Sequence, residues 1–529
     1  MTTPRPVAHP GRSVAVLAAG GIVAALMQTL VIPLIGTLPA LLHTTASNAS
    51  WAVTATLLAG AVTTPVTGRL GDLFGKRRVL LACCVPLVAG SVVCALATSL
   101  ATMVAGRALQ GMGMGIVALG ISALRDLMPP ERLGSSIALI SSSLGIGGAL
   151  GLPFAAAIAE HADWRILFWV SAALSALVAL LIALVVPATP ARGRGGFDAP
   201  GALGLGAGLV CLLLAVSKGA DWGWGSATTL ALLVAAPVLL LAWGRWELRT
   251  PAPLVDLRVT ARPRVLVTNA ASVVVAFAMY AASLIVPQLL QLPRETGYGL
   301  GRSMQAAGLW MAPSGLTMMA VSPLGAKLSA ARSPKTTLVV GGLVIALGYG
   351  SSTVLMGSAP GLLVVTCICN TGVALAYGAM PALIMSGVPR SETASANSFN
   401  TLLRSVGTSV AAAVVGIVLA RMTVRTGAVA VPSEGGFRTG LLLGCGVALA
   451  AAAIAAAIPY RADAAPAEEG DSGVPARADG RQGSHGPEEQ DGGSSRHGDG
   501  DAPLPHTDHP RTHRPSRAPG AGSTPSEEA

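Results

Sequence analysis

The sequence predicts an all-α integral membrane protein with fourteen spans, and three observations predict it. Hydrophobic residues make up 52% of the 529 residues and charged residues only 11%, at a mean hydropathy of +0.63, a balance foreign to soluble domains of this length. Apolar runs of about 20 residues recur along the chain, the length that carries a helix across roughly 30 Å of hydrocarbon with every amide paired. Lys and Arg fall mainly in alternate loops, as the positive-inside rule requires of a multi-pass chain.

The spans follow in order. Val14–Thr37 opens the set and is too long, with no small-residue cleavage site, to be a secretory signal. Trp51–Thr67 and Val79–Thr98 flank a short charged hairpin, and Thr102–Leu124, Gly134–Ala159 and Trp164–Val186 complete a first group of six. Ala202–Ser217 and Ala227–Trp243 are the two shortest. Val265–Leu290, Met304–Leu324, Thr336–Met356, Leu362–Met385, Ala394–Ala420 and Gly440–Ile458 form a second group of six. The expected organisation is therefore a cytoplasmic N-terminus (1–13), a six-helix bundle (14–187), a linker carrying two extra helices (188–264), a second six-helix bundle (265–459) and a disordered tail (460–529). With the N-terminus inside, 19 of the 35 Lys and Arg lie in inner loops and seven in outer ones. Both termini are then cytoplasmic, and the cell membrane is the expected location.

The tail is rich in Gly, Pro, Ser and charge, with nothing to bury, and is expected to be disordered. It is net acidic at −6, so the membrane body carries +16 where the whole chain has a formal +10, and anionic headgroups rather than nucleic acid account for that charge. The seven cysteines all lie within spans without metal-ligand spacing, and the tail histidines read as solvated low-complexity sequence, so no metal site and no cofactor is expected. Gly71 and Gly75-Lys76 miss the ATP-binding loop by one residue. No His-Glu-x-x-His or Gly-x-Ser-x-Gly occurs, so no catalytic residue is assigned and the chain is not expected to be an enzyme.

The hairpin reads Gly68-Arg69-Leu70-Gly71-Asp72-Leu73-Phe74-Gly75-Lys76-Arg77-Arg78. Its glycines permit a tight turn and close helix approach, and Asp72 suits the exposed amides of a helix N-terminus. The Gly-x-Leu-Gly-Asp-x-x-Gly-Lys-Arg pattern resembles the signature loop of the major facilitator superfamily, whose fourteen-helix drug:proton antiporters the whole stretch Val14–Tyr460 resembles. Arg107-Ala108-Leu109-Gln110-Gly111-Met112-Gly113 looks like that family's intramembrane arginine motif. Gly145, Gly147, Gly148, Gly151 and Pro153 resemble its antiporter helix-packing motif, with Leu152 inserted before the proline. Asp163-Trp164-Arg165 with Phe168, Leu254–Arg258, and Pro287–Gln291 look like the fourteen-helix subfamily.

The resemblance implies a conformational latch made of Gly68, Arg69, Gly71, Asp72, Gly75, Lys76, Arg77 and Arg78, closing on the start of the thirteenth span, where Ser391, Glu392 and Thr393 form a cap. Leu73 departs from the family, which often carries a base there. Arg107 must face a wet cavity or polar partners, since a guanidinium at mid-bilayer costs at least about 2.5 kcal/mol. It is assigned with Gln110 to gating or proton relay, against the alternative that it clamps helix carbonyls. The first-span acid of the resembled subfamily is replaced by Gln28, and no acid lies deep in any span. Glu160, His161 and Asp163 at the outer mouth are then the proton-relay residues, against a solvated loop cluster. Gln28, Gln288, Gln291, Asn370, Tyr377 and Arg404 are assigned to a substrate pocket, softened by methionines.

These features imply a secondary transporter that exports small hydrophobic drugs or metabolites by alternating access, a monomer in the lipid bilayer using protons as coupling ion. An importer or uniporter of a neutral solute is favoured by Gln28, and a non-transporting scaffold or sensor would use the tail.

Overall fold

The computed structural model describes residues 10–31, 34, 38–191, 193, 195–426 and 429–459. The tail assigned to 460–529 and most of the N-terminus assigned to 1–13 lie outside them, as do the side chains of Glu160 and His161.

The described chain is helical throughout save one hairpin. Its first part holds α1 (Pro10–Thr29), two single turns α2 (Leu38–Leu41) and α3 (Ala46–Ala49), α4 (Trp51–Phe74), α5 (Lys76–Ala95), α6 (Leu100–Met112), α7 (Ile116–Leu127), α8 (Pro130–His161) and α9 (Arg165–Val185). Next come α10 (Ala199–Trp222), α11 (Ala227–Glu247) and the short α12 (Leu257–Thr260). The last part holds α13 (Pro263–Gln291), α14 (Met304–Ala331), α15 (Pro334–Leu355), α16 (Ala359–Gly387), α17 (Thr393–Arg421) and α18 (Glu434–Ala456). Between α17 and α18, β1 (Thr423–Thr426) pairs antiparallel with β2 (Val429–Pro432).

Among the described residues, twelve helices are long and apolar enough to cross a membrane, α6 and α7 together counting as one and both α10 and α11 qualifying. Two further helices, α4 with 24 residues and α14 with 28, have the length but dilute it with Thr, Ser, Gly and Pro. The expected fourth span is not one helix. It breaks between Met112 and Ile116, directly after the Arg107 motif, because glycines at 111, 113 and 115 stand against neighbouring backbone and side chains.

Apolar packing is segregated by sequence. One core is drawn from residues 271–458, and two others from residues 14–186 with Met385 and Ala394 added. A fourth joins α4 and α17 to α10 and α11 through Ala61, Leu205, Leu209, Trp243, Phe399 and Leu402. Polar chemistry inside this greasy body is therefore conspicuous wherever it occurs.

Candidate functional site

The first site lies where α4 ends. Beyond the apolar stretch 51–67, the glycines of the hairpin bring it against α17: a Cβ on Gly68 would stand 2.6 Å from Ser398 Cβ and 2.8 Å from the Ala394 carbonyl. Gly71 is equally tight, with Leu119 Cδ2 2.3 Å from where its Cβ would be. Gly75 ends the helix at φ +89°, a conformation that favours glycine, with Thr189 O only 2.7 Å from the missing Cβ.

That approach delivers Asp72, 2% exposed, to the N-terminus of α17. Its Oδ1 accepts from Ala394 N–H at 3.1 Å and its Oδ2 from Ser395 N–H at 2.8 Å. The cap expected from Ser391, Glu392 and Thr393 is a different one: Glu392 holds the cap position without a side-chain bond, and the carboxylate arrives from α4. Two amides and a helix dipole are stronger attractors for an anion than for the chain's own hydroxyls. Burial pushes the Asp72 carboxyl up to about 6, although the Ser395 and Ala394 amides and the Lys76 charge pull it down.

The cations divide. Lys76, buried, pairs with Asp126 at 2.5 Å. Arg77 donates to Ala183 O at 2.5 Å, tying the hairpin to α9. Arg69 is buried and Arg78 is exposed. The α17 start is also gripped by residues that no motif flagged: Arg125 of α7 donates to Thr393 Oγ1 at 2.8 Å and Val388 O at 3.3 Å. Ser122 donates to Thr393 O at 3.2 Å and accepts from Asn397 at 3.2 Å. Their only sequence signal was a charged pair, Arg125-Asp126, closing an apolar run. A cavity of about 210 Å³ adjoins this junction, lined by Arg69, Leu254, Asp256, Glu392 and Ser395 among others.

The second site is the arginine of α6. Arg107, 1% exposed, donates from Nε to Ala52 O at 2.9 Å, and from Nη1 to Met27 O at 2.9 Å and Gln110 Oε1 at 2.6 Å. Gln110 in turn donates to Ser91 Oγ at 2.8 Å. Arg107 thus crosslinks α1, α4 and α6, the clamp alternative, with its charge spread over three oxygens.

The remaining residues make separate local contacts. Arg404 lies 4.4 Å over the Tyr377 ring and donates to Thr401 Oγ1 at 3.2 Å. Asn370 donates to Ser314 Oγ at 2.9 Å. Gln28 is exposed and reaches Met114 Sδ at 3.4 Å. Gln288 and Gln291 donate to carbonyls of their own helix, Leu284 O at 3.0 Å and Pro287 O at 3.1 Å. A buried trio that the site assignment omitted joins α17 to α13: Asn400 donates to Asn269 Oδ1 at 2.9 Å and Ser272 Oγ at 2.8 Å. Asp163, just before α9, accepts from Arg165 N–H at 2.8 Å beside an exposed ion pair with the same arginine. Glycine packing in α8 splits in direction. A Cβ on Gly147 would stand 2.4 Å from Ile22 O and one on Gly151 1.9 Å from Thr29 Oγ1, both toward α1, while Gly145 meets Met318 of α14 at 2.4 Å. Gly148 has open space, and Pro153 is partly buried inside the helix.

An all-helical body with a carboxylate capping a distant helix and an arginine clamped at depth defines a multi-pass membrane protein built to hold polar contacts between bundles of helices. Residues 17–412 match the Major Facilitator Superfamily, and the chain belongs to that family of transporters, which are not enzymes. It is 34% identical over 305 residues to an uncharacterized MFS-type transporter of Mycobacterium tuberculosis (strain CDC 1551 / Oshkosh), covering 57% of this chain and 43% of that protein. The chain thus spans less than half the length of that relative. It is 28% identical over 386 residues to the tetracenomycin C resistance and export protein of Streptomyces glaucescens, covering 72% and 70%. Among solved structures, it resembles the human organic anion transporter MFSD10 (TETRAN) at a TM-score of 0.59 and 17% identity, over 86% of this chain and all of that one.

Proposed function

We propose that this chain is a secondary exporter of small hydrophobic compounds, working by alternating access as a proton-coupled antiporter in the cell membrane, with both termini cytoplasmic. The observation that carries this reading is the Asp72 cap on α17, a two-amide contact between sequence-distant helices that can form and break as a unit. Export draws support from the tetracenomycin C export relative. Fourteen spans, the count of the drug-exporting subfamily, follow if α4 and α14 join the twelve apolar helices, since their dilution by small and polar residues suits helices that line a path. In this pose Asp72 closes the hairpin side, and Tyr377, Asn370 and Gln28 offer aromatic and neutral polar chemistry to cargo, with Arg404 the cation among them. Gln28 favours a second reading, import or uniport of a neutral solute, because an amide releases no proton.

The deciding experiment is dye accumulation in cells producing the full chain, with and without a protonophore. Export predicts lower accumulation than in control cells, restored by the protonophore. Equal accumulation in both refutes it, and a rise favours import.

A further inference from the structure

The helices α10 and α11 end on the hairpin side in two carboxyls that face each other. Asp198 caps α10, with Oδ1 accepting from Gly201 N–H at 2.9 Å, and both its oxygens accept from Trp246 Nε1, at 3.2 and 3.1 Å. Glu247, the last residue of α11, is 2% exposed, and Asp198 is 7% exposed. Glu247 Oε1 accepts from Val255 N–H at 2.9 Å, whereas its Oε2 is buried without any hydrogen-bond donor. The Glu247 carboxyl also interacts with the Leu254 amide and with the Asp198 carboxyl. A Cβ on Gly201 would touch both acids, 2.1 Å from Asp198 Oδ2 and 3.1 Å from Glu247 Oε2, so glycine there lets the carboxyls meet.

Like charges that meet at one buried glycine oppose each other, and a proton placed between the two carboxyls would supply the missing donor. We propose that Asp198 and Glu247 form a proton-binding site that holds one shared proton between two carboxyls. The proton fastens α11 to α10 and, through Val255, fixes the segment 251–256. That segment lines the cavity shared with Arg69, Glu392 and Ser395, next to the Asp72 cap. Loss of the proton sets like charges against each other and frees the segment.

The charged groups on the surrounding elements are Arg69 and Asp72 of α4, Arg245 of α11, Arg249 just past its end, Asp256, Glu392, and Arg258 of α12. Arg245, Arg249 and Arg258 are exposed, and Arg258 donates to Leu248 O at 2.6 Å. Arg69 acts on Glu392. Arg192 and Arg194 lie outside the described residues.

The test is infrared spectroscopy of the full-length protein in nanodiscs, following the C=O band of protonated carboxyl groups from acid to alkaline pH. An Asp72→Asn background removes the other buried acid nearby. The band is expected at about neutral pH, and it disappears in Glu247→Gln and in Asp198→Asn. Equal band intensity in all three proteins overturns the proposal. Should a variant fail to fold, the parent protein still decides, because absence of the band at about neutral pH overturns it too. Thermal midpoint gives a second readout: the parent loses stability as pH rises through the site's deprotonation, and Glu247→Gln, whose amide donates permanently, stays level. A level parent profile contradicts the proposal.

Discussion

Replacing Asp72 by Ala removes both acceptors from the start of α17, at 3.1 and 2.8 Å, and leaves two buried amides facing a methyl group. Loss of a helix cap costs about 0.5–2 kcal/mol, and a hydrogen bond to a charged group is worth about 1.5–3 kcal/mol. The raised carboxyl pKa shows that desolvation opposes the contact, so the net loss belongs nearer the lower end, about 2–3 kcal/mol of the hairpin-side closed pose. At about 1.4 kcal/mol per decade that is a 30- to 150-fold shift toward opening. Asp72→Asn, a neutral isostere that keeps one carbonyl acceptor and sheds the carboxylate's desolvation cost, should shift it less. The assay is electron–electron distance measurement between spin labels at exposed Phe74 and Arg390, in a background lacking the native cysteines. Asp72→Ala should populate longer distances, with Asp72→Asn between it and the parent. Identical distributions for all three would refute the reasoning, because the carboxylate would then not be what holds α4 to α17.

Three further outcomes follow from the same coordinates. Gly75→Ala combines φ +89° with a carbonyl 2.7 Å from the new methyl and should cost about 1–3 kcal/mol, read as a lower thermal midpoint, whereas Gly148→Ala meets open space and should leave it unchanged. Arg107→Lys cannot reach Ala52 O, Met27 O and Gln110 together, and should lower the midpoint and transport by more than Arg78→Lys at its exposed site. Asp72 binds its proton more tightly when buried, near 6, than when released to water, at about 3.9, so falling pH favours the closed pose. Label distances should shorten as pH drops from about 8 to 5, and Asp72→Asn should abolish the dependence.

Twelve of the fourteen expected spans were legible because one physical constraint, a satisfied backbone in hydrocarbon, writes itself into run length and loop charge. The hairpin was legible for the same reason inverted: Asp72 and its cations are costly near lipid and stand out against an apolar background. What could not be read was anything set by which helices touch. The break at Met112–Ile116 follows from glycines meeting Thr56, Leu87 and Thr67 of other helices, a contact with no trace in local sequence. Arg125 counted only as a loop charge until α7 was placed beside α17. Gln288 and Gln291 looked like pocket residues by depth, yet each found a carbonyl one turn back, the cheapest partner in a medium without water. Asp198 and Glu247 sit 49 positions apart and pair only because α10 and α11 lie side by side.

The packing of α8 decides which interfaces move. Toward α1 its glycines meet backbone and a hydroxyl: Gly147 against Ile22 O and Gly151 against Thr29. A contact of that kind tolerates no sliding, since any shift drives helix backbone into helix backbone. Toward α14 the same helix offers Gly145 to Met318, whose thioether has three rotatable bonds and repacks at low cost. The α4–α17 junction combines an apolar seam with hydrogen bonds concentrated at the Asp72 end, where the latch is proposed to open. A rocking motion should therefore carry α8 rigidly with α1 while it slips against α14 and unlatches α4 from α17. Substitution tests the division. Gly147→Ala should lower the thermal midpoint and transport, because its methyl would stand 2.4 Å from Ile22 O, whereas Gly145→Ala should be tolerated as Met318 repacks. The reverse order would assign the rigid interface to the opposite side of α8.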